Sequence, residues 1–255
     1  MQGQNDMNND MNEVFTPSAP AMRQVRAYSK TSGSAARGEG MLPPEWAMVN
    51  SSTHSNEAWS RWLSPMLLGP CDLYPGRDGR MLTSCTVEAA WQFSKVYTEH
   101  VGPDGEPNEE WWEWAQRGWG RSYEEYVSLG KQSLRYPMGK DPVSGRSRRP
   151  LYSYWKGEHL DYVAARRRIY VPLYARAVTR TEAWQRLREV YDGALAAGSG
   201  VRIYGFDGLN LHALGRTYGE ALQDTTRPFG HSLVLCALLE GVELSAAACR
   251  QGIAG

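Results

Sequence analysis

Thr86-Val87-Glu88-Ala89-Ala90-Trp91-Gln92-Phe93-Ser94-Lys95 is the stretch on which the reading of this chain turns. On a helix, at about 100° per residue, Glu88, Gln92 and Lys95 fall within a roughly 60° wedge. Ala89, Ala90, Phe93, Val96 and Tyr97 cover the opposite side, and Trp91 and Val96 border the wedge. Thr83 or Ser84 offers an N-cap, so the helix is expected to run to about His100 and to stop at Gly102-Pro103. Such a wedge is either a solvated face carrying helix-spaced polar pairs or a reactive stripe on a pocket floor. Near the helix start, Glu88 gains from the dipole, which favours its ionised form.

Working outward, residues 1–45 are rich in Asn, Gln, Ser, Gly and Met without apolar period and read as a disordered tail. One domain is expected over 46–243, with a second tail at 244–255. Trp59, Trp62 and Leu63 lie at helical spacing, and Pro-Gly-Arg-Asp-Gly at 75–79 marks a turn between two short extended pieces. Asn108 caps a second helix with a heavy Trp face, and Ser122 begins a third that fades near Ser133. Leu160–Thr179 carries a helical pattern that Pro172 is expected to kink or divide, and Thr181 caps another helix ending before Gly198. Residues 201–206 alternate as a strand delivering Asp207 onto a loop. A closing helix is expected from Pro228 through Leu239, with His231 in its first turn. The fold class that results is mainly α with a small β component, an α+β fold.

Composition narrows the function classes. No apolar run approaches the ~18–20 residues that cross a bilayer, and no signal peptide pattern is present, so a cytoplasmic protein without membrane contact is expected. Four cysteines lack any CxxC pair, so no zinc, other metal or disulfide is expected. Cys236 reads as a buried thiol and Cys249 as an exposed one. Neither a Walker A pattern nor GxGxxG occurs, and no cofactor is expected. Ten Trp and fourteen Tyr supply flat, amphipathic rings that suit stacking sites as well as cores.

Charge is lopsided within a chain of zero net charge. Residues 131–180 hold twelve Lys and Arg against three Asp and Glu, a local excess of nine. Arg135, Lys140, Arg146, Arg148 and Arg149 crowd one loop, and Arg166, Arg167 and Arg168 follow on a helix. That asymmetry fits an anionic ligand, or a basic surface neutralised by the acidic segment 104–125. A zero balance disfavours sequence-independent nucleic-acid binding and leaves a phosphorylated small molecule open.

With these residues laid out, the chain resembles the NADAR (YbiA-like) superfamily. The family string Thr-x-Glu-His-Ala-aromatic-Gln-x-x-Lys is matched by Thr86, Glu88, Ala90, Trp91, Gln92 and Lys95, with Ala89 in place of the His. Ser64 within Leu63-Ser64-Pro65-Met66, together with Tyr74, resembles the family's polar-aromatic opening. Trp155 and Asp207 are looser counterparts of a central Trp and a late loop Asp. Gly230-His231-Ser232-Leu233 resembles the last Gly-Asn-x-Leu motif, with His for Asn. The resemblance implies a compact helical fold that cleaves N-glycosidic bonds without metal. Its implied substrates are ribosylated pyrimidine-type phosphates or ADP-ribosyl-guanine.

A site of this kind has definable parts. Breaking a ribosyl C–N bond develops an oxocarbenium-like cation, so carboxylates from separate segments stabilise charge and activate water. Glu88 is the candidate for water, and Asp207 for the ribose hydroxyls or the charge. Lys95 either fixes Glu88 or forms a Schiff base. Gln92 is a candidate hydrogen-bonder; Trp91 and Trp155 are candidates for stacking; Arg149 and Arg166 for phosphate; His231 for donation to substrate. Two competing classes stay open: a non-catalytic module binding ADP-ribose or a modified nucleotide, and a base-modification enzyme acting on nucleic acid.

Overall fold

Side-chain oxygens begin most helices of this chain. In the computed structural model, which describes residues 24–28, 45–129 and 134–244, Thr86, Asn108, Ser122, Asp161, Thr181 and Thr217 each accept a hydrogen bond from the backbone N–H three residues on. In chain order, β1 (Val25–Tyr28) and β2 (Ala47–Asn50) precede a 3-10 turn at Ser60–Leu63 and the hairpin β3 (Cys71–Pro75) and β4 (Met81–Ser84). There follow α1 (Val87–Gln92), β5 (Lys95–Val96), α2 (Glu109–Trp119), α3 (Tyr123–Ser128), β6 (Tyr152–Trp155) and β7 (Glu158–Leu160). The chain then forms α4 (Tyr162–Ala165), a π-helical turn at Arg166–Tyr170, α5 (Val171–Val178), α6 (Glu182–Ala196), β8 (Val201–Tyr204), α7 (Tyr218–Gln223) and α8 (His231–Leu239). Helix outweighs strand by 38% to 17%, which makes the fold α+β with a helical majority.

The strands form three small sheets. β8 is central in the first, with β1 and β2 parallel to it on either side. Val201 and Ile203 alternate inward, as the sequence pattern requires, and α8 packs against β1, β8 and α5. α8 is apolar all round and its first seven residues are buried, which places it in the core. β3 and β4 pair antiparallel around the turn expected at 75–79, and β5, β6 and β7 form the third sheet. Among the described residues, no helix is long and apolar enough to cross a membrane.

Three elements depart from the sequence expectation, and a fourth gains detail. Val25–Tyr28, within the stretch assigned to the tail, is a strand buried against β8; residues 1–23 and 29–44 lie outside the described residues, as do Cys249 and the second tail apart from Leu244. The helix expected to reach His100 ends at Gln92. Ser94 Oγ donates to Trp91 O (2.9 Å), Tyr154 N–H donates to Ser94 O (2.8 Å), and Trp111 Nε1 donates to Lys95 O (2.9 Å). These bonds replace the helix ladder with sheet, and the β-branched Val96 suits that exchange. Its N-cap is Thr86; Ser84 instead closes β4 and donates to Thr86 O at 2.9 Å. Ahead of Pro172 the helical run is divided by a π turn: Val171 N–H reaches Arg166 O, five residues back. Pro172 lacks an N–H and its ring crowds the carbonyl four residues earlier, so the ladder widens just ahead of it. The closing helix starts at His231 and leaves Pro228 in the preceding loop. The third helix ends at Ser128, and the expected fade near Ser133 falls outside the described residues.

α1 and α2 meet at a glycine. A Cβ on Gly118 would lie 2.0 Å from Cδ1 of the buried Phe93 ring. Gly118→Ala is therefore expected to destabilise the fold: overpacking costs about 1–3 kcal/mol, more than the ~1 kcal/mol that alanine gains in a helix. A lowered urea midpoint at unchanged slope is the outcome to look for.

Candidate active site

Glu88, Gln92 and Lys95 form a continuous polar chain, although they do not share one helix. Gln92 Nε2 donates to Glu88 Oε1 at 2.7 Å, one helical turn apart on α1. Lys95, whose backbone belongs to β5, turns its ammonium back to donate to Gln92 Oε1. Gln92 and Lys95 are both 5% exposed, so the solvated-face alternative is overturned. The ammonium also faces the rings of Trp91 (5.4 Å) and Tyr136 (5.3 Å). Burial lowers the Lys95 pKa to about 8, with the Glu88 charge opposing and Arg135 adding to the fall.

Burial also reverses the dipole expectation for Glu88. Desolvation raises its carboxyl above the ordinary range and the Asp207 charge adds to the rise, against the Gln92 hydrogen bond, Lys95 and Arg135. Asp207 is likewise raised by desolvation, with Arg135 and Arg166 opposing.

Asp207 arrives from a different element, the loop after β8. It lies just past the carboxyl end of β8, the central parallel strand, where ligand crevices of parallel sheets form. Gly230 makes this possible: a Cβ there would lie 2.7 Å from Asp207 Cβ, so the start of α8 can abut the loop.

Two cavities meet at these carboxylates. One, of about 460 Å³, is walled by Lys95, Arg135, Arg149, Arg166 and Arg227, with Trp91 and Tyr162 among its rings. The other, of about 510 Å³, has hydroxyl and aromatic walls that include Ser64, Tyr126, Phe206 and His231. Glu88, Tyr170 and Asp207 line both. The two carboxylates are accessible from the cleft, Asp207 more than Glu88, while protein surrounds them on the remaining sides.

The other candidates divide. Trp91 lines the basic cavity, its ring 5.4 Å from that of Tyr170, and Arg149 stands exposed in the wall of the same cavity. Ser64 is buried beside the aromatic cavity. Tyr74 and Trp155 do not reach the cleft: they are buried and packed edge-on against each other at 4.9 Å, so neither stacks on a ligand.

Arg166 lines the basic cavity, but its guanidinium is committed to donating to the carbonyls of Leu222 (3.0 Å), Asp224 (2.8 Å) and Arg227. A guanidinium so engaged pins the loop before α8 and does not present the fork expected for phosphate. His231 Nε2 lies 2.8 Å from Ser51 Oγ and 3.0 Å from Ser51 O. Ser51 Oγ spends its own proton on Tyr204 O (2.7 Å), so Nε2–H donates to Ser51 and is withheld from substrate. Burial lowers its pKa to about 4, so the ring is neutral at pH 7.

Sequence reasoning left Arg135, Tyr136, Tyr170, Tyr126 and Phe206 out of the site. Arg135 was visible as part of the charge excess. The aromatics had no separate signal, because their spacing is also that of core positions. Basic residues of 131–180 find acids elsewhere than 104–125: Arg148 pairs with Glu99 and Arg168 with Glu158. Among the described residues, no group of three His, Cys, Asp or Glu gathers as a metal site.

No protein-family model, no curated protein and no solved structure matches this chain.

The two arginines are expected to separate in stability measurements. Arg166→Met strands three backbone acceptors and should cost at least about 2 kcal/mol, with faster hydrogen exchange over 222–227. Arg149→Met, on an exposed position, should stay within about 0.5 kcal/mol.

Proposed function

We propose that this protein hydrolyses the N-glycosidic bond of a phosphorylated ribosylated base, or of an ADP-ribosyl group joined to a guanine-type base. The observation that carries the proposal is the convergence of Glu88 and Asp207, from α1 and from the loop after β8, on the wall shared by two ligand-sized cavities. The resemblance of residues 86–95 to the NADAR string supports the same class of chemistry.

In this reading water attacks the anomeric carbon while the C–N electron pair departs with the leaving nitrogen. Glu88 takes the proton from water, and a carboxyl that burial raises above its ordinary value is the stronger base for that task. The proton then passes to the leaving nitrogen, which balances the reaction. Asp207 holds the ribose hydroxyls and offsets the positive charge that develops on the sugar. Lys95 acts through Gln92: its ammonium fixes the amide oxygen, which turns the amide N–H toward Glu88. It is therefore a positioning residue, and the Schiff-base alternative has less support because its nitrogen is buried and occupied. The Arg135, Arg149 and Arg227 side chains supply the positive surroundings that a phosphate requires.

Glu88→Gln should lower turnover by at least about 100-fold while ligand is retained. The assay follows ribose release from ribosylamino-pyrimidine phosphates, ADP-ribosylated guanine in DNA, and NAD. A change in affinity with no turnover in the wild type would favour the binding module, and product from none of the three would overturn the hydrolase. Activity should also fall as pH rises through about 8, where Lys95 loses the proton that orders Gln92. Lys95→Met should lower kcat at neutral pH and abolish that alkaline limb, which a pH–rate profile tests directly.

A further inference from the structure

The two cavities are sorted by charge, and the sorting has a direction. Lys95, Arg135, Arg149 and Arg227 all line the basic chamber. Among the described residues the aromatic chamber has no Lys or Arg in its lining, and His231, one of its two histidines, is neutral. Its walls are rings and hydroxyls: Tyr123 and Tyr126 from α3, and Phe206 from the loop after β8, with Ser52, Thr53 and Ser64 between. Phe206 is 49% exposed, and His54 stands edge-on to it at 5.9 Å.

A phosphate carries about −1.5 to −2 charge near pH 7. Placed in the aromatic chamber it would face Glu88 and Asp207 with no Lys or Arg among the described lining residues beside it. A planar, uncharged heterocycle meets no such penalty there and gains stacking contact with the rings. Hydroxyls around the rings can donate to or accept from the edge of a base.

Resting on the glycosidase reading above, we propose that the substrate spans the wall formed by Glu88, Tyr170 and Asp207. Its phosphorylated ribose lies in the chamber of Lys95, Arg135, Arg149 and Arg227. Its leaving base, a planar heterocycle, lies in the chamber of Tyr123, Tyr126 and Phe206. The C–N bond then crosses at the two carboxylates, and the residues that select the base are those of α3 and the Phe206 loop. None of these three aromatics belongs to the string at 86–95. Specificity for the base is thus carried by a surface separate from the catalytic helix.

Two fragments test the orientation without any chemistry: ribose 5-phosphate for one chamber, and free uracil or hypoxanthine for the other. Binding to the full chain is followed by NMR chemical-shift titration at millimolar fragment concentrations. Arg135→Met should weaken ribose 5-phosphate by at least about 10-fold and leave base binding within about 2-fold. The double variant Tyr126→Ala with Phe206→Ala should show the opposite pattern. Arg135 and Phe206 are exposed, and matching amide spectra for each variant and the wild type establish that the fold is intact. Overturning results are binding of neither fragment, sensitivity of both fragments to Arg135→Met, or base binding that ignores the aromatic variants. The hydrolase reading fails separately. Partitioned fragments with no turnover would retain the subsites and remove the enzyme; turnover lost in Glu88→Gln with both fragments in one chamber would retain the enzyme and remove this orientation.

Discussion

A buried ammonium must be met by oxygen, and in this protein the oxygen comes from an amide. Lys95 has too little solvent around it to stay charged without a partner. Gln92 supplies the acceptor, and once its oxygen is engaged its N–H group has one orientation, toward Glu88. The amide thus transmits the position of a cation to a carboxylate. Because Lys95 belongs by its backbone to β5 and by its side chain to α1, the same contact ties the third sheet to the helix that carries Glu88. The shifts of both ionisable groups follow from this enclosure: burial pushes the carboxyl up and the ammonium down, toward each other. Pairs of groups with environments of this kind are commonest where acid–base work is done.

The second carboxylate depends on a different constraint. Three parallel strands end side by side, and the chain leaving the central one has to turn at once into a loop. Asp207 lies on that loop, and the serines after β2 lie on its neighbour. Arg166, buried in the π turn, holds the segment ahead of α8 by its carbonyls. The cleft is therefore framed by backbone that is pinned.

Much of this was legible in the residues themselves. Six of the helices begin where a short polar side chain precedes them by one place, and Asn108, Ser122 and Thr181 were readable as caps. The alternation of Val201 to Tyr204 gave a strand, and 75–79 gave a turn. Glu88 and Asp207 were nameable as candidates from residue type and local motif. Tyr74 and Trp155 carry no local mark of their burial. An aromatic beside polar residues looks the same on paper whether its ring lies in a cleft or in the core. Arg166 misleads for a related reason: composition counts its charge but cannot count the carbonyls that occupy it.

The sequence by itself determined local matters: caps, turns, the strand period, the apolar closing helix and the uneven placement of charge. These depend on neighbours within a few positions, where backbone sterics and hydrogen bonding decide. The tertiary structure alone decided that α1 stops at Gln92, that Val25–Tyr28 joins the sheet, and that Glu88 and Asp207 share a wall. Each of these rests on contacts between residues far apart in the chain, between β5 and β6, β1 and β8, α1 and the loop after β8. No local propensity encodes such a pairing, because its free energy comes from surfaces that exist only once the chain has folded.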